Sequence, residues 1–415
     1  METYIGVVDG NNFFVSCERL FRPDLLQQPV LVLSSNDGCV VARSQEVKDL
    51  GIVMGMPYFQ IKDLIRQKGV TVFSSNFKLY RNLSQRLFSV LKKEVEEFEQ
   101  YSIDEAFFLL KAKDRQAAEV VARELKVKLE RLVGIPVSIG LGANKTQAKY
   151  ASRLAKSGDG LRVLDVSTWQ SLTKEIDLHL LWGVGAKSAE RYRREGLLKV
   201  VDLLNYPLSL VRGKFGVVGE RLRAELDGEM IFLLNPVSGG QQSLTDSRSL
   251  KKATYKQAEV LTVLAGHVEA ASATLRKKQL LAETLTVIAY PARGQSGGFS
   301  ETISLPAPTS NTSVIMKYAN AVLVKRFSPE VGYRKLGITL GSLMPENFQN
   351  GSLFTETETV LDEGLWQTVD MLNSRFHSTV LRSGVSLQPR GLLPASSWRS
   401  PEYVSAWQEI PTVQS

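Results

Sequence analysis

Short apolar runs and longer amphipathic stretches alternate along the first part of the chain. Runs with the length and composition of buried strands are YIGVVD (4–9), PVLVLSS (29–35), VTVFSS (70–75) and PVSIGLGA (136–143). Stretches with the apolar spacing of helices are NNFFVSCERLF, FKLYRNLSQRLFSVLKKEVEEF (77–98) and NKTQAKYASRLAK (144–156). This alternation predicts an α/β sheet covered by helices.

The pattern changes near residue 168. Residues 168–234 have helical spacing broken by glycine turns, and residues 235–242 form a linker rich in Gly, Ser and Pro. Residues 243–345 contain long alternating stretches such as LAETLTVIAY around two helical segments, which predicts a second, smaller α/β domain. A polar stretch at 346–360 and a short terminal domain at 361–415 complete the predicted organisation.

The composition narrows the functional class. A chain of 415 residues with 43% hydrophobic and 23% charged residues predicts several domains with ordinary cores. The formal net charge of +8 indicates a polyanionic partner. Two cysteines, Cys17 and Cys39, are too few for a disulfide framework and favour a reducing compartment. No apolar run reaches membrane-spanning length, so we expect a cytoplasmic protein without a membrane partner.

Two neighbouring acids, Asp104 and Glu105, interrupt the apolar run YSIDEAFFLL. Because successive strand side chains face opposite sides, we expect the pair at a hairpin turn between strands EQYS and AFFLL. Asp9, at the end of the first run, can reach the same sheet edge. Three carboxylates there suit Mg²⁺ and a phosphate ligand, and two such ions would serve an in-line phosphoryl displacement. For an isolated pair, a solvated turn with a capping aspartate is the simpler interpretation.

Four motifs in order resemble those of the Y-family DNA polymerases: VVDGNNFFVSCE, SSNDGCVVAR, YSIDEAFF and SIGLGANKTQAKYASRLAK. The tail WRSPEYVSAWQEIP (398–411) resembles the end of the UmuC branch, which includes the catalytic subunit of DNA polymerase V. The resemblance implies a multidomain α/β right-hand polymerase that carries out translesion synthesis on damaged DNA without proofreading. The implied domains are a palm at 1–167 with fingers inserted at about 18–76, a helical thumb at 168–234, a little finger at 243–345 and a UmuC-type C-terminal domain at 361–415.

The resemblance also implies roles for individual residues. Asp9, Asp104 and Glu105 would be catalytic and, with the backbone carbonyl of Gly10, would bind two Mg²⁺ ions, with Mn²⁺ as the alternative metal. The implied nucleotide-binding residues are Phe14 as a steric gate against a 2′-hydroxyl, its neighbour Phe13, Arg43, Lys48 and Lys156. Helix-core packing is the alternative for Phe14, because only one of two adjacent aromatic residues can face inward. Ala42 and Gln45 depart from the family's more common Thr and Tyr.

Two regions are predicted to bind duplex DNA. The stretch LWGVGAKSAERYRREG (181–196) resembles a helix-hairpin-helix, whose amides bind backbone phosphate without reading sequence. Its predicted DNA-binding residues are Gly183, Gly185, Lys187 and Arg191, and an ordinary helical turn is the alternative. In the little finger, Arg248 and Lys251 are predicted to belong to a cationic face that grips primer-template DNA.

The segment QNGSLF (349–354) resembles clamp-binding peptides of bacterial polymerases. Its predicted clamp-binding residues are Gln349, Leu353 and Phe354. The branch further implies a processed UmuD dimer and a RecA filament as partners, and a bacterial, nucleoid-associated location. Two other functions stay open at this stage: a nucleotidyl cyclase, whose similar sheet also holds two metals, and a catalytically silent DNA-binding scaffold.

Overall fold

The structure is a computed structural model, and it describes residues 1–36, 38–235, 240–292, 294–348, 360–376, 379–387 and 392–410. The chain divides into two compact units. The first unit comprises Met1–Ser238 together with Ser396–Ser415, and the second comprises Gly239–Ala395. Among the residues described, none of the helices combines the length and the apolar character needed to cross a membrane.

The first unit is built from two sheets and their helices. Its elements are β1 (Glu2–Gly10), α1 (Phe13–Phe21), β2 (Val30–Leu33), β3 (Val40–Arg43), α2 (Gln45–Asp49), α3 (Tyr58–Gln67), β4 (Thr71–Ser74), α4 (Phe77–Glu94), β5 (Phe98–Gln100), β6 (Glu105–Ala112), α5 (Arg115–Val133), β7 (Val137–Gly142), α6 (Lys145–Ala155), β8 (Leu161–Val163), α7 (Val166–Leu172), α8 (Ala186–Arg194), α9 (Val200–Asn205) and α10 (Leu208–Leu226). One sheet has the strand order β5-β6-β1-β7-β8, and the other has the order β3-β2-β4.

The central strand β1 is covered on both faces. Val8 belongs to a core shared with leucines of α4 and α5, whereas Ile5 and Val7 pack on the other side with Ala148 of α6. This two-sided burial explains why the first apolar run is nearly continuous. Because side chains alternate along a strand, Asp9 lies on the same face as Ile5 and Val7, which is the face covered by α6.

The three-stranded sheet has a core of its own. Strand β2 runs parallel to β4 and antiparallel to β3. Buried residues of this core include Leu31, Leu33, Val47, Ile61 and Ile65. Since α2 and α3 supply the last three, the inserted segment forms a small α/β layer that carries Arg43 at the end of β3.

Helices α7 to α10 form a further compact layer in the first unit. Its core contains Leu178, Val184 and Phe215. Gly183 has φ 81° in the loop before α8, and Gly216 has φ 72° within α10. Both conformations are left-handed, which explains glycine at these two positions.

The second unit is a four-stranded antiparallel sheet with helices on one face. Its elements are β9 (Ser243–Thr254), α11 (Gln257–Lys277), β10 (Leu280–Pro291), β11 (Phe299–Thr309), α12 (Thr312–Arg326), β12 (Tyr333–Pro345) and α13 (Val360–Arg375). The strand order is β11-β10-β12-β9. Arg276 of α11 donates to Asp370 of α13 at 2.6 Å, and the Trp366 indole donates to Ser313 at 3.1 Å. These contacts hold α13 within the second unit.

The residues predicted as one C-terminal domain, 361–415, are divided between the two units. Residues 361–395 belong to the second unit because α13 is anchored there. Residues 396–415 belong to the first unit, where Tyr403 is buried in the core of the five-stranded sheet. The boundary between Ser238 and Gly239 lies inside the stretch predicted as a linker, 235–242.

Candidate active site

Asp9 and Glu105 face each other where strands β1 and β6 meet. They are direct cross-strand partners, and the backbone N–H of Gly10 donates to the Asp104 carbonyl at 2.9 Å. A Cβ atom at position 10 would lie 2.7 Å from the Phe13 ring, so glycine is needed at this close approach. Glu105 opens β6, and Asp104 ends the turn that joins β5 to β6.

Burial sets the charge state of the two facing carboxyls. Asp9 is 5% exposed. Burial, followed by the hydrogen bond shared with Glu105, raises the pKa of Asp9 to about 7, although Lys156 favours its charged form at 2.7 Å. Burial also opposes ionisation of Glu105, but hydrogen bonds with Asp9 and Lys149 outweigh it and lower the pKa of Glu105. Of the two facing carboxyls, Asp9 is therefore the one that holds a proton more readily, and Glu105 is the one that ionises more readily.

Asp104 faces a different partner. Its carboxylate accepts a hydrogen bond from the Ser102 hydroxyl at 2.7 Å, and burial raises its pKa. In the part of the chain that the structure describes, no three acidic, histidine or cysteine side chains form a ready metal-binding group. By donor type, the residues fit a divalent ion, because Asp9, Asp104 and Glu105 all carry the carboxyl oxygens that such ions prefer. The predicted ligand roles of Asp9, Gly10, Asp104 and Glu105 stay predictions.

Helix α6 supplies two lysines to the carboxyl pair. Lys149 donates to Glu105, and Lys156, the residue that caps the end of α6, donates to Asp9. Lys156 was predicted from the sequence, whereas Lys149 was not. Their spacing of seven residues is two helical turns, which places both on one side of α6. That spacing is the signal in the sequence that could have identified Lys149.

A cationic group stands beside Asp9. Burial, and then the nearby charges of Arg43 and Lys156, lower the pKa of Lys48, while Asp9 partly opposes that shift. The charges of Arg43, Lys48 and Lys156 therefore act on one another on this side of the site, and Lys156 contacts Asp9 directly. The Nε and Nη1 atoms of Arg43 are buried and have no hydrogen-bond partner within the described structure. Buried donors are normally satisfied. The predicted nucleotide-binding roles of Arg43 and Lys48 stay predictions.

Phe13 and Phe14 differ in their surroundings. Phe13 is 3% exposed and packs on Gly10. Phe14 is partly exposed, and its ring stacks on Tyr80 of α4 with centroids 4.4 Å apart and planes 12° apart. Phe14 is therefore the member of the pair that a ligand can reach, and its role as a steric gate stays a prediction.

Comparisons with known proteins identify the family of this chain. A model described as the impB/mucB/samB family matches residues 8–153, and the model of that family's C-terminal domain matches residues 241–353. Protein ImpB of Salmonella typhimurium is 30% identical, with 98% of each chain covered. Protein UmuC of Salmonella typhimurium is 31% identical, with 89% of this chain and 90% of that protein covered. The chain belongs to the impB/mucB/samB family.

The fold of this impB/mucB/samB family member is also similar to a solved structure. A chimeric Y-family DNA polymerase matches it with a TM-score of 0.69 at 20% identity, covering 82% of this chain and 99% of the chimera. The predicted right-hand polymerase fold is thereby confirmed, as is the predicted membership of the UmuC branch of the Y family.

The residues predicted to form a helix-hairpin-helix lie together on the surface, at the start of α8. Gly183 lies in the loop before α8, and Gly185 is the residue immediately before the helix. Lys187 and Arg191 are exposed on α8, and Arg191 also donates to the carbonyl of Lys214. Contact of these residues with DNA stays a prediction.

The second unit places its two predicted DNA-binding residues differently. Arg248 pairs with Leu336, a buried residue, so Arg248 lies on the helix side of the sheet, where it is nevertheless exposed. Lys251 is exposed. Lys335, which pairs with Ser249, lies exposed on the open face. Contact of Arg248 and Lys251 with DNA stays a prediction. The predicted clamp-binding residues Gln349, Leu353 and Phe354 lie outside the described residues.

Proposed function

We propose that the edge formed by Asp9 and Glu105 is where this chain joins a deoxynucleotide to a primer. The chain is a DNA-directed DNA polymerase of the Y family that carries out translesion synthesis, as the sequence predicted and its family membership confirms. In the proposed reaction, the primer 3′-hydroxyl oxygen attacks the α-phosphate of a dNTP and pyrophosphate leaves. The pairing of Asp9 with Glu105 beside three cations carries the assignment of this site.

Y-family polymerases use divalent metal ions, and we propose two Mg²⁺ ions here, with Mn²⁺ as a substitute. Asp9, Asp104, Glu105 and the carbonyl of Gly10 would hold them. When bound, the ions would neutralise phosphate charge and polarise the attacking hydroxyl. The carboxyls would then exchange their present partners, Lys149 among them, for the metal.

The cations beside Asp9 would receive the triphosphate. Arg43 has two buried donors without a partner in the described structure, and a phosphate oxygen would satisfy them. Lys48 and Lys156 would add positive charge near the triphosphate. An ammonium group does this as a point charge and needs no fixed hydrogen-bond geometry. Neutralisation of the substrate by fixed cations is the main contribution a protein makes to this reaction class.

Phe14 would select the sugar. A ring held beside C2′ leaves room for hydrogen but collides with a hydroxyl, so deoxyribose is accepted and ribose is rejected. Its stack on Tyr80 supports this role because the ring cannot swing away without losing the aromatic contact.

The two other functions fit the molecule less well. A nucleotidyl cyclase has no use for the helical layer of the first unit or for the polar sheet face of the second. A silent scaffold has no use for a buried Asp9 whose pKa is raised to about 7, because a buried acid of this kind is costly to keep.

The proposed partners follow from the family. Primer-template DNA and dNTP are bound by polymerases of this kind. A sliding clamp at Gln349, Leu353 and Phe354, a processed UmuD dimer, a RecA filament and a nucleoid-associated place in the bacterial cytoplasm are proposals that each need a separate test.

Primer extension tests the proposed site. The full-length chain should extend a labelled primer with Mg²⁺ and dNTPs, and Glu105→Gln should slow incorporation by about 10²- to 10³-fold because the charge is lost while the shape is kept. The matched control is Glu124→Gln, an exposed acid on α5, which should leave the rate unchanged. Extension by Glu105→Gln at the wild-type rate would refute the site, and a wild type that binds DNA without extending it would support the scaffold.

A further inference from the structure

Residues near the end of the sequence belong to the first unit and contact its three-stranded sheet and helices α1 and α4. We call residues 396–409 the C-terminal strap. At the small sheet, the backbone N–H of Ser74 donates to the carbonyl of Trp398 at 3.0 Å, and the Trp398 ring meets Tyr58 edge-on at 5.4 Å. The strap also forms a parallel bridge from Arg399 to Ser74. It therefore pairs with the last residue of β4, just before α4 begins.

The strap next holds the first turn of α4. Asn76 is the residue before this helix, and its side-chain oxygen accepts from the N–H of Leu79. Its side-chain amide donates to the Ser400 carbonyl at 3.2 Å, to the Ser400 hydroxyl at 3.1 Å and to the Pro401 carbonyl at 3.3 Å. Asn76 is 1% exposed. One buried side chain thus joins the helix cap to the strap.

The strap also holds the last turn of α1. The Tyr403 ring stacks on Phe21, the final residue of α1, with centroids 4.6 Å apart and planes 7° apart. Tyr403 is 9% exposed and belongs to the main core. Beside it, Lys78 of α4 donates to Glu402 at 3.0 Å. The strap therefore touches the end of α1 and the start of α4 within a few residues.

The proposed gate lies on the same two helices. Phe14 of α1 stacks on Tyr80 of α4 and meets Phe77 edge-on at 5.7 Å. The Tyr80 hydroxyl donates to the buried Glu18 of α1 at 2.6 Å. These contacts fix the position of α1 relative to α4. The strap contacts both helices as well, at the end of α1 and at the start of α4.

We propose that the C-terminal strap is a positioning element that sets the place of Phe14 and so the discrimination between deoxyribonucleotides and ribonucleotides. This inference rests on the proposed role of Phe14 in the polymerase site. A gate rejects a hydroxyl only if its ring is held to a fraction of an ångström, and a strap that clamps both helices supplies that constraint. Asn76, Ser400 and Tyr403 act through the helices and touch no substrate.

Two substitutions release the strap at different points. Tyr403→Ala removes the stack on Phe21, and Tyr403→Phe keeps the ring. Asn76→Asp keeps the oxygen that caps α4 but turns the donor that faces Ser400 and Pro401 into an acceptor. Phe59→Ala, which removes an exposed ring on α3, is the matched control. Circular dichroism and thermal unfolding show which variants fold, and either releasing variant is sufficient.

The readout is the ratio of kcat/KM for a dNTP to that for the matching rNTP. Release of the strap should lower this ratio by about five- to tenfold, a coupling of the size seen between packed residues. Tyr403→Phe and Phe59→Ala should keep the wild-type ratio. In a Phe14→Ala background, Tyr403→Ala should cause no further fall, because the strap acts through that ring. An unchanged ratio in a folded releasing variant, or an equal fall in the Phe14→Ala background, would overturn the inference.

Hydrogen exchange separates this inference from the polymerase function. In Tyr403→Ala, backbone amides of residues 77–84 should exchange faster than in wild type, whereas Tyr403→Phe should protect them normally. Unchanged exchange at the start of α4 would overturn the strap as a positioning element, whatever the chain catalyses. A wild type that extends no primer would instead overturn the proposed function.

Discussion

The two units use their main sheets in opposite ways. In the first unit, β1 is covered on both faces, and charged side chains gather where β1 and β6 meet. In the second unit, helices cover one face, and the open face carries hydroxyl pairs such as Thr245 with Thr339 and Thr286 with Thr302, both at 2.8 Å. Enclosure is what shifts a pKa and prepares a site for chemistry, whereas a shallow polar face can lie against a polyanion without burying charge.

The largest effect should come from Asp9→Asn, which should lower activity while it raises stability. Incorporation should fall by about 10²- to 10³-fold because a charged ligand for cations is lost. Stability should rise at neutral and higher pH. The pKa of Asp9 is raised from 3.8 to about 7, so the stability that its protonated form supplies is present below about pH 4 and is lost as the pH rises through 7.

Thermal unfolding from pH 4 to pH 8.5 without divalent metal checks this expectation. The midpoint of Asp9→Asn should match that of wild type at pH 4 and exceed it above pH 7. A variant that is less stable than wild type at pH 8.5 would show that Asp9 is held ionised by its lysine, and that enclosure has not shifted its pKa.

Arg43→Gln should have the next largest effect. The apparent KM for dNTP should rise about tenfold, the cost of one charge-assisted contact, because the buried donors would lose their phosphate partner. Affinity for primer-template DNA should stay the same. Steady-state kinetics with one dNTP measures this, with exposed Arg66→Gln as the control. An equal rise in KM in both variants would mean that Arg43 acts only through the overall charge.

A smaller effect tests the open face of the second unit. Lys335→Gln should weaken DNA binding a few-fold and reduce the slope of log K against log salt by about one. Arg248→Gln should change neither, because Arg248 lies on the helix side of the sheet. Fluorescence anisotropy at several salt concentrations separates the two. A larger effect of Arg248 would mean that the duplex lies on the helix side.

The smallest expected effect is the loss, at low pH, of the stability that Glu402 of the strap contributes. Burial opposes ionisation of Glu402, but hydrogen bonds from Ser405 and Lys78 outweigh it and lower its pKa. A lowered pKa adds stability above the unfolded value of about 4.5, and this is lost as the pH falls. Glu402→Gln should therefore cost less than about 1 kcal/mol at pH 7, as partly exposed pairs do, and less at pH 3 than at pH 7. An equal cost at both pH values would assign it to packing.

Local patterns predicted several of the main strands and helices of the first unit. The runs that became β1, β2, β4 and β7 and the stretches that became α4 and α6 carry clear apolar periods. Strand β3 (Val40–Arg43) is too short to show a period. The motif resemblance, rather than periodicity, brought Asp9 together with Glu105, because 96 positions separate them.

Contacts between distant segments were beyond sequence reasoning. Nothing local indicates that Asn76 contacts Ser400, so the division of residues 361–415 between the units was not predicted. The face occupied by Arg248 depends on the register of β9 against β12, which a one-residue slip would reverse. Lys149 could have been found from its spacing to Lys156, since helical period is a local property.

The central claim is that the facing carboxyls of Asp9 and Glu105 act as one functional unit. The most direct test is the single-turnover rate of the double variant Asp9→Asn with Glu105→Gln, compared with the rates of both single variants. Residues that work as a unit are grossly non-additive. We predict that the double variant incorporates a dNTP about as slowly as the slower single variant. A rate lowered by the product of the two single losses would show that the carboxyls contribute independently, and would contradict the site described here.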